Sequence, residues 1–103
     1  MKRIYEMNTG LNKRFPNGND PFQIITRLTE ECGELAAEIN LFEGAGVKRE
    51  KHGEPDRSKL AKEIMDVIRC TLQVAMYYEI EDELEQTINA HHQRMVESGL
   101  ISK

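Results

Sequence analysis

The sequence predicts an all-α domain: a helical bundle of two long helices and one or two shorter ones, its core completed by dimerisation. Three observations lead there. Apolar residues recur at alternating steps of three and four along two long stretches, the spacing of a helix packing on another helix. No segment alternates with the period of two that marks a half-buried strand. Turn-forming residues gather in two places only, and they divide the helical patterns cleanly.

Residues 2–14 read as a short helix, because Ile4, Met7 and Leu11 recur at helical spacing. The run Phe15-Pro16-Asn17-Gly18-Asn19-Asp20-Pro21 is a loop by composition. Its last residues start the first long helix. Asp20 can cap it, Pro21 fits its first turn, and Gln23 stands where a capping box requires it. Ile25, Leu28, Cys32, Leu35, Ile39 and Phe42 then form a narrow apolar stripe. The helix stops near Gly44, after about 23 residues or ~35 Å.

A second loop-like stretch runs from Gly44 through Asp56, and Asp56 or Ser58 begins the second long helix. Its stripe is Leu60, Ile64, Val67, Ile68, Thr71, Val74, Ala75 and Tyr78. Met65, Leu72 and Met76 widen that face well beyond ~100°, more than one neighbouring helix covers. The stripe changes phase near Glu79–Asp82, which places a break there although neither Gly nor Pro marks it. Leu84, Ile88, His91 and Met95 carry a last amphipathic helix, with Gly99 suited to the C′ position that ends it. The broad face is the reason to expect a homo-oligomer, a dimer or a tetramer. A compact monomeric four-helix bundle is the simpler alternative.

Residues 1–103 make one domain. A chain this short hides only about 60–65% of the surface its unfolded form exposes, so its own core is thin. Fourteen basic residues stand against 18 acidic ones, a formal net charge of −4. That balance argues against a nucleic-acid binder, whose affinity comes from clustered Lys and Arg. No apolar run approaches the roughly 18–20 residues of a membrane span, and no apolar stretch follows Met1-Lys2-Arg3 as in a secretory signal. Cys32 and Cys70 match neither a zinc spacing nor a redox pair and read as small buried hydrophobes. A cytoplasmic location is the expectation.

The chemistry-bearing residues are carboxylates. The first long helix carries Glu30, Glu31, Glu34 and Glu38. With Leu28 at zero, steps of ~100° put Glu31 roughly at −60°, Glu38 at −80° and Glu34 at −120°, on one flank of the apolar stripe. Like charges at this spacing cost about 0.2–0.5 kcal/mol per pair. The second long helix carries Glu63 and Asp66, three apart, also beside its stripe. A solvated acidic face is the bland reading of either pair alone. Antiparallel docking of the two helices, however, would bring both pairs to one gap, where four carboxylates repel unless a cation lies between them. Oxygen-only ligands suit a hard ion, Mg²⁺ first, with Mn²⁺ as a substitute. A di-iron site is disfavoured because no His completes a Glu-x-x-His motif.

At these residues the sequence resembles a known family. Leu28-Thr29-Glu30-Glu31-Cys32-Gly33-Glu34-Leu35, with Glu63-Ile64-Met65-Asp66 separated from Glu34 by 28 intervening residues, is similar to the paired EExxE and ExxD motifs of MazG-like nucleoside triphosphate pyrophosphohydrolases. The resemblance covers roughly residues 20–95. It implies an all-α fold, an intertwined dimer or dimer of dimers, and Mg²⁺-dependent hydrolysis of a nucleoside triphosphate to a monophosphate and pyrophosphate. It also implies that Glu31, Glu34, Glu63 and Asp66 are the metal ligands and that Glu30 orients or deprotonates the attacking water.

A triphosphate needs further cations. Lys48 and Lys51 in the second loop are the candidates there, and Arg94 is the candidate on the last helix, where the family tends to place Lys, Asn or Arg. Phe15 is the candidate for stacking on a base, while Phe22 and His91 read as packing residues. Two other functions stay open. One is phosphoribosyl-ATP pyrophosphohydrolysis, which uses a similar acidic arrangement. The other is a non-catalytic helical dimerisation module with a structural metal site.

Overall fold

In a computed structural model, residues 1–44 and 56–102 are described. They form four helices: α1 (Lys2–Arg14), α2 (Pro21–Phe42), α3 (Arg57–Tyr77) and α4 (Glu81–Glu97). No strand occurs among the described residues.

The ends of these helices follow from their side chains. Asp20 closes a reciprocal box at the start of α2: its carboxylate accepts from the Gln23 amide at 2.9 Å, and the Gln23 side chain accepts from the Asp20 amide at 3.3 Å. Asp56 caps α3 by accepting from the Ser58 and Lys59 amides. At the far end of α4, Gly99 adopts φ +83°, while the Leu100 amide bonds the Met95 carbonyl and the Gly99 amide bonds that of Val96. This is the paired-bond C-terminal motif that favours glycine. The same motif ends α3 with Glu79 in the left-handed position at φ 55°: Ile80 bonds back to Ala75 and Glu79 to Met76. A glutamate therefore makes the break between α3 and α4 that a glycine would have announced.

Helix α3 is the hub, and α1, α2 and α4 each pack on it. Residue pairing fixes the directions. Glu38 meets Lys59, and Glu31 meets Glu63 and Asp66, so α2 runs antiparallel to α3. The Asn8 side chain donates to the Arg69 carbonyl, and Gln73 donates to the Asn12 side chain, at one constant offset, so α1 runs along α3 in the same sense.

The packed seam differs from the expected one by a single residue. On α2 the buried residues are Ile24, Glu38 and Leu41, with Glu31 half-buried between them. Ile25, Cys32 and Ile39, the residues just after Ile24, Glu31 and Glu38, are exposed. One residue is ~100° of rotation. The apolar stripe thus lies beside the intrachain seam, and Leu28, Leu35 and Phe42 straddle the two as half-buried residues. Ile64 and Ile68 on α3 are exposed as well. Cys70 is buried as expected, but Cys32 is not. Phe22, expected to pack, is 81% exposed, and His91 lies exposed on α4.

The core that remains is small. Among the described residues, Ile24, Leu41, Cys70, Leu72 and Ala75 are its buried apolar members, and Asn8, Glu38, Glu63, Asp66 and Gln73 are buried beside them. The chain is a slab of 45 × 44 × 21 Å with a radius of gyration of 17.1 Å. A compact domain of this length has about 13 Å.

Candidate metal centre

Glu31 stands seven residues, about two turns, from both Ile24 and Glu38 on α2, which puts its carboxylate in the seam with α3. There Glu63 and Asp66, one turn apart, face it. One carboxylate oxygen from each of Glu31, Glu63 and Asp66 lies within 4.8 Å of the others. Glu63 is 5% exposed and Asp66 7%. Buried Oε2 atoms of Glu31 and Glu63 have no hydrogen-bond partner.

Electrostatics records the crowding. Burial pushes the Glu31 carboxyl above its ordinary range, and the charges of Glu34, Asp66 and Glu63 push it further, against a smaller opposing effect of Lys62. Burial likewise raises Glu63, and the neighbouring Glu34 carboxylate adds to the rise. Glu34 is itself exposed, so it reaches the trio from the rim, outside the three converging oxygens.

Two lysines supply positive charge. Lys62 donates to Asp66 Oδ2 at 2.8 Å from one turn earlier on α3, and this bond raises the ammonium pKa. Lys59 Nζ lies 3.1 Å from Glu38 Oε1. Neither lysine was singled out from the sequence, although Lys62 stands at the i,i+4 spacing from Asp66 that brings side chains together. Arg69 approaches the other Asp66 oxygen, its Nε 3.9 Å from Oδ1.

Of the remaining expected site residues, Glu30 is exposed and lies outside the trio. Arg94 is exposed in the last turn of α4, and nothing among the described residues links it to the carboxylates. Lys48 and Lys51 lie outside the described residues. Phe15 borders a cavity between α1, α2 and α3 and carries the Arg14 guanidinium 5.5 Å from its ring centre.

Glu31, Glu63 and Asp66 are the described residues that could hold a metal ion. They fit a hard divalent cation on two counts: the donors are all carboxylate oxygens, and two buried oxygens lack any other partner. Comparison with protein-family models, curated proteins and solved structures finds no match to this chain.

Proposed function

We propose that the chain is a Mg²⁺-dependent nucleotide pyrophosphohydrolase, cleaving a nucleoside triphosphate between the α and β phosphates in nucleotide-pool housekeeping. The observation that carries this is the convergence of Glu31, Glu63 and Asp66, in the order and spacing of the motifs the sequence resembles. Glu31, Glu63 and Asp66 would hold the ion, with Glu34 joining them from the rim of the site. A divalent ion bound there supplies charge neutralisation for the phosphate oxygens and a more acidic water. Glu30 accepts the proton of the water that attacks the α-phosphorus. The water oxygen stays with the nucleoside monophosphate, and the bridging oxygen leaves with pyrophosphate. Lys48, Lys51 and Arg94 hold the phosphates, and Phe15 lies against the base.

The working unit in this proposal is a dimer or tetramer. Ile25, Ile39, Ile64 and Ile68 are each between 43% and 51% exposed on two neighbouring helices, and the slab is too open for a lone chain. A second copy laid on this stripe buries it and completes the core.

The test is product analysis across ribo- and deoxyribonucleoside triphosphates, with Mg²⁺ and with EDTA. The proposal expects one monophosphate per pyrophosphate, in Mg²⁺ only. Orthophosphate as the product would place the cleaved bond elsewhere, and no product from any nucleotide would remove the enzymatic reading.

A further inference from the structure

A cavity of about 200 Å³ lies between α1, α2, α3 and the loop that joins α1 to α2. A water molecule's share of the liquid is about 30 Å³, so this is the space of about six or seven waters. Drug-sized molecules occupy pockets of roughly 300–1,000 Å³. A small polyatomic ion fits here.

The charge on the walls is of one sign. Arg27 from α2 and Arg69 from α3 both line the cavity, each half-buried, and no carboxylate lines it among the described residues. Guanidinium groups stay charged in proteins, and two that share one small space repel. Neither is neutralised by a close partner. Arg69 Nε lies 3.9 Å from Asp66 Oδ1, beyond hydrogen-bond reach, and Asp66 accepts from Lys62 at 2.8 Å through its other oxygen. Glu31 stands one turn after Arg27, a spacing that brings side chains together, but its carboxylate converges on Glu63 and Asp66 instead.

Arg27 is nevertheless held in place. It donates to a neutral group, Asn19 Oδ1, at 3.0 Å, and the Asn19 amide is itself anchored on the Phe15 carbonyl at 3.1 Å. A guanidinium fixed before its ligand arrives loses less freedom on binding. The side-chain carbonyl of Asn12 is engaged too, by Gln73 Nε2 at 2.8 Å. The walls are therefore weighted to N–H donors and positive charge, the complement of a ligand that only accepts and carries negative charge.

We propose that this cavity is an oxyanion site, in which Arg27 and Arg69 hold a phosphate group or a small carboxylate between them. Two-pronged contacts of guanidinium to such anions are among the strong hydrogen bonds of proteins. The site is separate from the carboxylate centre, needs no metal ion, and stands whether or not the chain hydrolyses nucleotides.

The experiment titrates inorganic phosphate, pyrophosphate and acetate into the full chain by calorimetry. It is run at neutral pH and fixed ionic strength, with EDTA so that no metal ion carries the anion. The expected result is saturable binding of one anion per chain, weakened about tenfold or more by Arg27→Met and by Arg69→Met, the scale of one lost hydrogen bond to a charged group. Arg3→Met removes the same charge from an exposed position on α1, eight residues or ~12 Å before Leu11 on the cavity wall. That exceeds the Debye length of about 8–10 Å, so binding should change less than about twofold. Should either Met variant not fold, the matching Lys variant keeps the charge, loses the fork and should still weaken binding. Phosphate or pyrophosphate binding more tightly than acetate assigns a phosphoryl ligand; acetate binding as tightly assigns a carboxylate. Saturation by none of the three would overturn the proposal. So would a loss in the Arg27 and Arg69 variants no larger than that in Arg3→Met.

Discussion

At the scale of single residues, the site is a balance between carboxylates that crowd and lysines that relieve them. Glu63 has its carboxyl pKa raised by burial and by Glu34, so its ionised form is disfavoured in the folded chain. A raised carboxyl pKa contributes stability below the unfolded value, and this is lost as pH climbs through the folded value. In the metal-free protein, Glu63→Gln should therefore melt higher than the native chain at neutral pH. The gap should close as pH falls toward about 4.5, near the ordinary value of a glutamate. The same substitution should abolish pyrophosphate release. Melting curves in EDTA across that range check the first statement, and an assay with Mg²⁺ checks the second. Lys62 gives a prediction of opposite interest. It occupies Asp66 Oδ2 at 2.8 Å, the place a divalent ion has to take. Lys62→Met should tighten Mn²⁺ binding about three- to tenfold by removing a repelling charge, as read by calorimetric titration at fixed ionic strength. Unchanged affinity would make Lys62 an ordinary surface partner.

At the scale of elements, the termini and the phase have different origins. The capping residues Asp20, Gln23 and Asp56 act through bonds to amides two or three residues away, and such local chemistry is legible in a sequence. The end of α3 is not, because Glu79 takes the left-handed conformation usually left to glycine. That conformation costs a non-glycine residue about 1–2 kcal/mol, and glycine returns about 0.5–1 kcal/mol of it as unfolded-state entropy. Glu79→Gly should accordingly stabilise the chain by about 0.5–1 kcal/mol, measured as a higher urea midpoint with unchanged slope. The seam on α2 was also hidden, for a plain reason. An apolar stripe is found by counting apolar residues, whereas the face buried in this chain carries Glu31 and Glu38 among Ile24 and Leu41. Ionisable side chains there make the packed face look like a solvated flank. The carboxylates' convergence was legible nonetheless, since it needed only two acidic pairs beside antiparallel helices. The cavity with Arg27 and Arg69 was not. Its walls come from three helices and a loop, and no spacing along the chain announces them.

For the whole molecule, the notable fact is openness. Among the described residues, α3 alone ties the other helices together, and the stripe of Ile25, Cys32, Ile39, Ile64 and Ile68 is exposed. Such stripes on a thin slab mark interaction surfaces. Light scattering should give a mass of twice or four times 11.9 kDa. Ile39→Glu, placing a charge in the stripe, should shift the mass toward one chain and lower the melting temperature. A native chain that is monomeric at tens of micromolar would remove the dimer from the proposal. Among the described residues, no helix is long and apolar enough to cross a membrane, so this stripe is not part of a helical span.

These scales meet at the three carboxylates, where, in the proposal, packing that costs the metal-free chain stability would become useful once an ion is bound. Titration of Mn²⁺ followed by electron paramagnetic resonance, on the native protein beside Glu63→Gln, addresses that point most directly. The proposal predicts saturable loss of the free-ion signal with the native chain and little loss with the variant. A signal that stays free with the native protein, or disappears equally with both, would contradict it.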